Sequence, residues 1–205
     1  MRFIRSVCVY CGSGLGRDPH HEEAAELLGR RFAENDVRLV YGGGGLGLMG
    51  TIARSVIAHG GRVTGIIPQF LVDKERMLEE VSEVIVTENM HERKALMFER
   101  ADAFVALTGG VGTLEELVEQ LTWAQLGRHK KPILVANIEG YWNPLVSMLN
   151  HMRHHSYIRE GLQTPYLVTS DVDEILPMLE SEAEIVHAEG LKPKFDTAEA
   201  PLRDM

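Results

Sequence analysis

Six short runs rich in β-branched and other apolar residues punctuate the chain: VCVY (7–10), VRLVY (37–41), RVTGII (62–67), EVIVT (83–87), AFVAL (103–107) and PILVAN (132–137). Longer amphipathic stretches separate them and read as helices at 19–35, 46–59, 89–100, 113–127, 141–154 and 171–181. Strands that alternate with helices pair most readily in parallel, so the pattern predicts βαβ units and a sheet covered by helices on both sides. The runs are almost continuously apolar, as strands buried on both faces require. The expected fold class is α/β, a Rossmann-like open parallel sheet with helices on both faces.

Local chemistry supports several of these boundaries. Asp18 and Pro19 suit an N-cap and a first helical turn, Gly60-Gly61 suits a helix end, and Asp171 can cap the last helix. A chain of 205 residues with 44% apolar and 25% charged content can fill one core. A single domain over 1–181 is expected. From 182 onward EAEIVHAEGLKPKFDTAEAPLRDM loses clear periodicity and gathers charges and two prolines, which suits a tail or a partner-contacting extension.

A formal charge of −9 is a poor match to a nucleic-acid backbone, although a small phosphate ligand needs only a local positive site. No stretch reaches the roughly 18 apolar residues of a membrane span, and MRFIRSVCVYCGSG lacks a signal-type cleavage region, so a cytoplasmic protein is expected. Cys8 and Cys11 form a CxxC spacing, but a separation of three along a strand sends the two side chains to opposite faces, and no second pair exists to complete a zinc site. His151, His154 and His155 have helical spacing at a polar helix end with no acidic or cysteine partner nearby, which reads as a solvated terminus. Neither a metal nor a cofactor is expected.

Two glycine-rich loops follow strands, where ligands of open α/β sheets bind. YGGGGLGLMG (41–50) lets backbone N–H groups approach an anion closely, and the helix after it adds its positive end. LTGGVGTLEE (107–116) repeats the arrangement, with Thr113 adding a hydroxyl. Either loop alone is also what a tight βα turn uses without a ligand. A dinucleotide site fits poorly: the first βα turn, CGSGLG, lacks the GxGxxG spacing, and the second strand ends in Tyr41-Gly42 where an acidic residue would hold a ribose. Between the loops, Arg93 and Lys94 sit in NMHERKALMFERADAF, readable as a solvated basic pair or, for Arg93, as a planar fork suited to phosphate.

MHERKALMFERADAFVALTGGVGTLEELVEQLTWAQLGRHKKPILVAN, together with VCVYCGSG, LVYGGGGLGLMG and GGRVTGIIP, resembles the Lonely Guy family of cytokinin-activating phosphoribohydrolases over about residues 5–155. The family's older label is lysine decarboxylase, but nothing here marks a pyridoxal-phosphate lysine. Its signatures, an Arg-Lys pair after a Met and PGGxGTxxE, fall on Arg93-Lys94 and on Thr108 to Glu116. Thr108 stands where the motif has proline, which frees φ and adds a hydroxyl. The resemblance implies a homodimer, with Leu121, Trp123 and Leu126 as apolar candidates for its interface. It also implies catalytic roles for Arg93 and Glu116, and substrate contacts at Glu75, Lys94, Gly110, Val111, Gly112, Thr113, Leu114, Glu115 and Thr122.

The implied reaction is hydrolysis of the N-glycosidic bond of a purine nucleoside 5′-monophosphate, isopentenyl-AMP or AMP, to free base and ribose 5-phosphate. Positive charge builds on the ribose in such a cleavage, so a carboxylate at Glu116 would stabilise it and orient water, while Arg93 clamps the nucleotide. Glu116 could equally be an ordinary first-turn carboxylate facing the helix dipole. The alternative function is a nucleotide-binding regulator without turnover.

Overall fold

The computed structural model describes residues 2–158 and 166–191. Seven parallel strands, β1 (Ser6–Tyr10), β2 (Arg38–Tyr41), β3 (Val63–Pro68), β4 (Glu83–Thr87), β5 (Ala103–Ala106), β6 (Ile133–Ala136) and β7 (Leu167–Thr169), form one sheet in the order β4-β3-β2-β1-β5-β6-β7. The helices are α1 (Pro19–Glu34), α2 (Gly47–Ala58), α3 (Met90–Glu99), α4 (Val111–Gln125), α5 (Asn143–His154) and α6 (Val172–Leu191). The expected α/β open sheet is therefore present, with one strand more than the apolar runs predict.

Side-chain alternation along β1 divides the core in two. Val7, Val9 and Cys11 pack with α1, α2 and α6 through Leu28, Phe32, Ile52, Val56, Ile175 and Leu179. Cys8 and Tyr10 point the other way, into a second cluster built from α3, α4 and their neighbours through Met97, Phe104, Leu117, Leu121 and Trp142. The cysteines thus lie on opposite faces, as their spacing predicts, and both are buried free thiols that burial keeps protonated by pushing their pKa up.

The expected caps at Asp18 and Asp171 form, and Asn89 adds one more. Asp18 accepts from the backbone of His20 at the start of α1, Asn89 accepts from Glu92 N before α3, and Asp171 accepts from Asp173 N before α6. Gly60 ends α2 with φ +77°, a conformation that favours glycine.

Two expectations need correction. The last helix, expected to end at 181, continues ten residues further as α6, into the segment read as a tail or a partner-contacting extension; residues 192–205 lie outside the described residues. Strand β4 is not buried on both faces: it closes one edge of the sheet, and Val86 is exposed. Among the described residues no helix is long and apolar enough to cross a membrane.

Strand order reverses at β1, whose neighbours are β2 on one side and β5 on the other. This switch point places the loops after β1, β2 and β5 around one crevice at the carboxyl ends of the strands.

Candidate active site

Each loop at the crevice is tied to the next by the backbone. Gly12 N donates to Thr108 O at 3.0 Å, joining the loops after β1 and β5, and Met49 N donates to Gly12 O at 3.3 Å. Gly45 N donates to Glu75 O at 3.0 Å, and Leu78 N donates to Gly43 O at 3.1 Å, so the long β3–β4 connection is laced to the loop after β2. Gly43 has φ +80°, and Ile67 fills the space where a side chain would stand.

Into this frame α3 and α4 each project one charged residue. Arg93 and Glu116 are 6% and 8% exposed, the only charged side chains that are buried among the described residues, and Arg93 Nη1 lies 3.0 Å from Glu116 Oε1. Arg93 Nε donates to the carbonyl of Ile66 at 3.1 Å, and its Nη2 edge lies against Gly42, where a Cβ would overlap it. The guanidinium is therefore fixed on three sides. The reading of Arg93 as a solvated cation does not hold: it is a buried fork.

Burial pushes the Glu116 carboxyl up to about 7; the Arg93 guanidinium pulls it down, while Glu115 and Glu75 add to the rise. Glu75 lies beside Gly44, its Oε2 buried without a hydrogen-bond partner, and burial raises it too, with Arg93 opposing. Two carboxyls with raised pKa around one guanidinium are a constellation typical of a working site.

A cavity of about 340 Å³ lies between the loops after β1 and β5, with Ser13, His21, Thr108 and Tyr141 among its walls; Arg93 and Glu116 do not line it. It opens at the N-terminus of α4, where Gly110 supplies no side-chain cap. The first-turn N–H groups there lack intrahelical partners, which makes an anion site. Helix α4 begins at Val111, two residues before the expected start. Gly110, Val111 and Gly112 are exposed at this end, Leu114 is half-buried, and the buried Thr113 hydroxyl packs against Gly109, which has no Cβ to obstruct it.

The remaining residues named from the sequence lie elsewhere on the two helices. Lys94 Nζ bonds Glu115 at 2.6 Å and Glu119 at 2.9 Å, bracing α3 against α4; burial would pull its pKa down, but the two carboxylates outweigh it and hold the ammonium charged. Thr122 is exposed, with its hydroxyl donated back to Val118 O at 2.8 Å, and is not brought to the crevice within this chain. Leu121 is buried at home and Trp123 packs edge-on against Phe98, so of the three interface candidates only Leu126 is exposed, at 71%. His155 packs against His151 at a tilt and against His154 edge-on at the exposed end of α5, and no group of three or more metal-ligating side chains occurs among the described residues.

Gly42, the Ile66 carbonyl and Tyr141 join the site without a sequence signal that singles them out. Tyr141 stands in a tight turn before α5 in which Glu139 has φ 50° and Gly140 φ 71°. Its hydroxyl donates to Gly109 O, and His21 packs edge-on against its ring.

Residues 49–179 match the family model described as "Possible lysine decarboxylase". The chain is 41% identical over 202 residues to a cytokinin riboside 5′-monophosphate phosphoribohydrolase of Arabidopsis thaliana, covering 98% of this chain and 88% of that protein. It is 44% identical over 177 residues to the LOG enzyme of the same description from Oryza sativa subsp. japonica, covering 86% and 73%. Among solved structures, the molybdenum cofactor carrier protein of Chlamydomonas reinhardtii superposes with TM-score 0.64 at 19% identity over 88% of this chain and 98% of that one, a likeness of fold alone. With that degree of identity to the two plant enzymes over most of its length, the chain belongs to the Lonely Guy family of cytokinin riboside 5′-monophosphate phosphoribohydrolases.

Proposed function

We propose that this chain hydrolyses the N-glycosidic bond of purine nucleoside 5′-monophosphates, AMP and its N6-prenylated forms such as isopentenyl-AMP, to the free base and ribose 5-phosphate. The observation that carries this is the buried Arg93–Glu116 pair at 3.0 Å beside the glycine loops. A phosphate seated on the α4 N-terminus would leave the ribose over the pair. As the C1′–N9 bond breaks, its electrons go to the base and positive charge spreads over the ring oxygen and C1′. Ionised Glu116 faces that charge and accepts a hydrogen bond from the attacking water, whose hydroxyl joins C1′ while its proton balances the departing base. Arg93 holds the carboxylate in place and offers its other N–H groups to the nucleotide.

The relatives' names support the substrate class. Glu75, with its unpartnered Oε2, is proposed as a further substrate contact, alongside the α4 first turn. Lys94 and Glu115 serve by fixing α3 to α4. Two buried free thiols suit a reducing compartment, and a cytoplasmic location is proposed.

A homodimer is proposed through α4, where Val111 at 83%, Val118 at 41% and Leu126 at 71% exposure form one stripe with Thr122 inside it. Such pairing would carry Thr122 toward the second copy. Light scattering that gives a monomer at micromolar concentration would overturn it. The activity is tested by chromatography of products from AMP and isopentenyl-AMP. Free base must appear with wild type and be lost with Glu116→Gln; nucleotide binding with no base released would make the chain a regulator instead.

A further inference from the structure

At the end of the sheet opposite the glycine loops, arginines stand at the start of three neighbouring strands. Arg38 opens β2, and Arg5 and Arg62 directly precede β1 and β3. The backbone places them side by side: Arg38 N donates to Arg5 O at 2.8 Å, and Leu39 N donates to Arg62 O at 3.0 Å. Arg2 and Arg100 join them around a cavity of about 690 Å³. Like charges at neighbouring strand positions repel, and nothing in strand pairing requires them.

Two carboxylates in the cavity lining offset these five cations only in part. Asp36 accepts from Arg62 Nη2 at 2.8 Å; Glu83 takes Arg100 at 3.2 Å and reaches Arg38 at 3.9 Å, while Arg38 also donates to Thr64. Arg2 turns to Glu180 at 3.7 Å, just outside the lining. Arg5 makes no ion pair among the described residues, and nearby Asp102 directs one oxygen to the backbone N–H groups of Arg5 and Ser6 and to the Ser6 hydroxyl. The lining holds no lysine, and this positive pocket sits on a chain whose net charge is −9. Planar guanidinium forks, four of them held by a carboxylate and Arg5 by none, keep N–H groups that match the oxygens of phosphate.

We propose that this rim is a second ligand site, separate from the crevice, for an anion carrying two or more phosphate groups. The cavity exceeds what one phosphate fills, and the arginines come from separate strands and from the end of α3, so they can engage phosphates spaced along a chain. Inorganic tripolyphosphate is the probe. Calorimetric titration into the full chain should show a binding event that Arg5→Ala/Arg62→Ala weakens by about tenfold or more, as loss of charge-assisted hydrogen bonds from two guanidinium groups requires. Any binding at the crevice would persist in that variant, as would turnover of AMP and melting temperature. Should the double variant fail to fold, Arg5→Gln, at a position without an ion pair, must still weaken binding several-fold. Orthophosphate must bind more weakly than tripolyphosphate. An isotherm unchanged by the substitutions, or no tripolyphosphate binding to wild type, overturns the proposal. This outcome leaves the hydrolytic reading untouched, since neither arginine belongs to the crevice.

Discussion

Arg93 Nη1 and Glu116 Oε1 meet at 3.0 Å between two helices, and no other charged side chain among the described residues is as buried as these two. Removing the charge or removing the partner should therefore have different kinetic signatures. Glu116→Gln keeps shape and a hydrogen-bond acceptor for Arg93, so it should lower kcat by about 100-fold or more with KM for AMP little changed. Arg93→Ala should lower kcat and raise KM, because the guanidinium acts in both ground and transition states. It also strands a buried carboxyl, a loss of about 3–5 kcal/mol unless that carboxyl takes a proton. Steady-state kinetics with melting temperature beside it separates the two; near wild-type turnover by Glu116→Gln would remove the residue from the mechanism.

The pH dependence follows from Glu116 titrating at about 7. If its ionised form does the work, kcat should rise through about pH 7 and then level. Arg93→Ala, by removing the group that pulls this carboxyl down, should move the rise to higher pH. A profile that instead falls above pH 7 would make Glu116 a proton donor.

Stability should carry the same titration with a definite sign. A carboxyl raised from 4.5 to about 7 holds its proton more tightly in the folded chain, so its contribution is complete below pH 4.5 and is lost as pH rises through 7. Wild type should therefore lose stability relative to Glu116→Gln between about pH 5 and 8, by an amount of order 3 kcal/mol at most. Urea denaturation of both proteins at the two pH values measures it. Curves that stay parallel would show that the pair compensates its own burial.

Much of this architecture is legible in the sequence because parallel strands leave nearly continuous apolar runs, and six of the seven strands fall on such runs, the edge strand β4 included. Leu167–Thr169 has no such signature, because three residues at a sheet edge, one of them exposed, carry no period. The end of the last helix is hidden because Glu184, His187 and Glu189 are exposed, and only half-buried Ala183 and Val186 mark its inner face. Arg93 and Glu116 are found through family resemblance; 23 positions apart, their contact has no local signature. Gly42 shows the same limit, since any glycine in YGGGGLG could have been the one lying under a guanidinium.

That glycine gives a sharper test than the loop's composition. A Cβ at position 42 would overlap Arg93 Nη2 and press Met49 Sδ at 3.1 Å. Met49 is flexible and can yield, but the guanidinium is held by Ile66 O and Glu116. Gly42→Ala should therefore push the fork out of line and cost about tenfold or more in kcat/KM, in keeping with the sensitivity of turnover to small misplacements. An unchanged melting temperature beside that loss would place the effect at the guanidinium and not in the fold. Wild-type kcat/KM in Gly42→Ala would show that the Arg93 position is not critical.

Tyr141 bears on Thr108, the residue that replaces the proline of the family motif. Without the ring, φ at position 108 is free, and the loop needs other restraints. Two are visible: Gly12 N bonded to Thr108 O at 3.0 Å, and the Tyr141 hydroxyl bonded to Gly109 O. The turn that presents Tyr141 is itself fastened, since Asn137 Oδ1 accepts from Trp142 N at 2.7 Å and its amide donates to Asn143 at 2.8 Å. Tyr141→Phe removes only the hydroxyl and should let the α4 N-terminus drift from the phosphate. A net hydrogen bond of about 1 kcal/mol corresponds to roughly fivefold, expected mainly in KM for the monophosphate, with kcat much less affected. Restoring proline in the same background, Thr108→Pro with Tyr141→Phe, should recover part of that loss by stiffening the loop. Position 108 can accept the ring only if its backbone N–H is not needed elsewhere, so melting temperature must be followed alongside. A Tyr141→Phe enzyme with unchanged KM would show that the glycine loop holds its shape without the tyrosine.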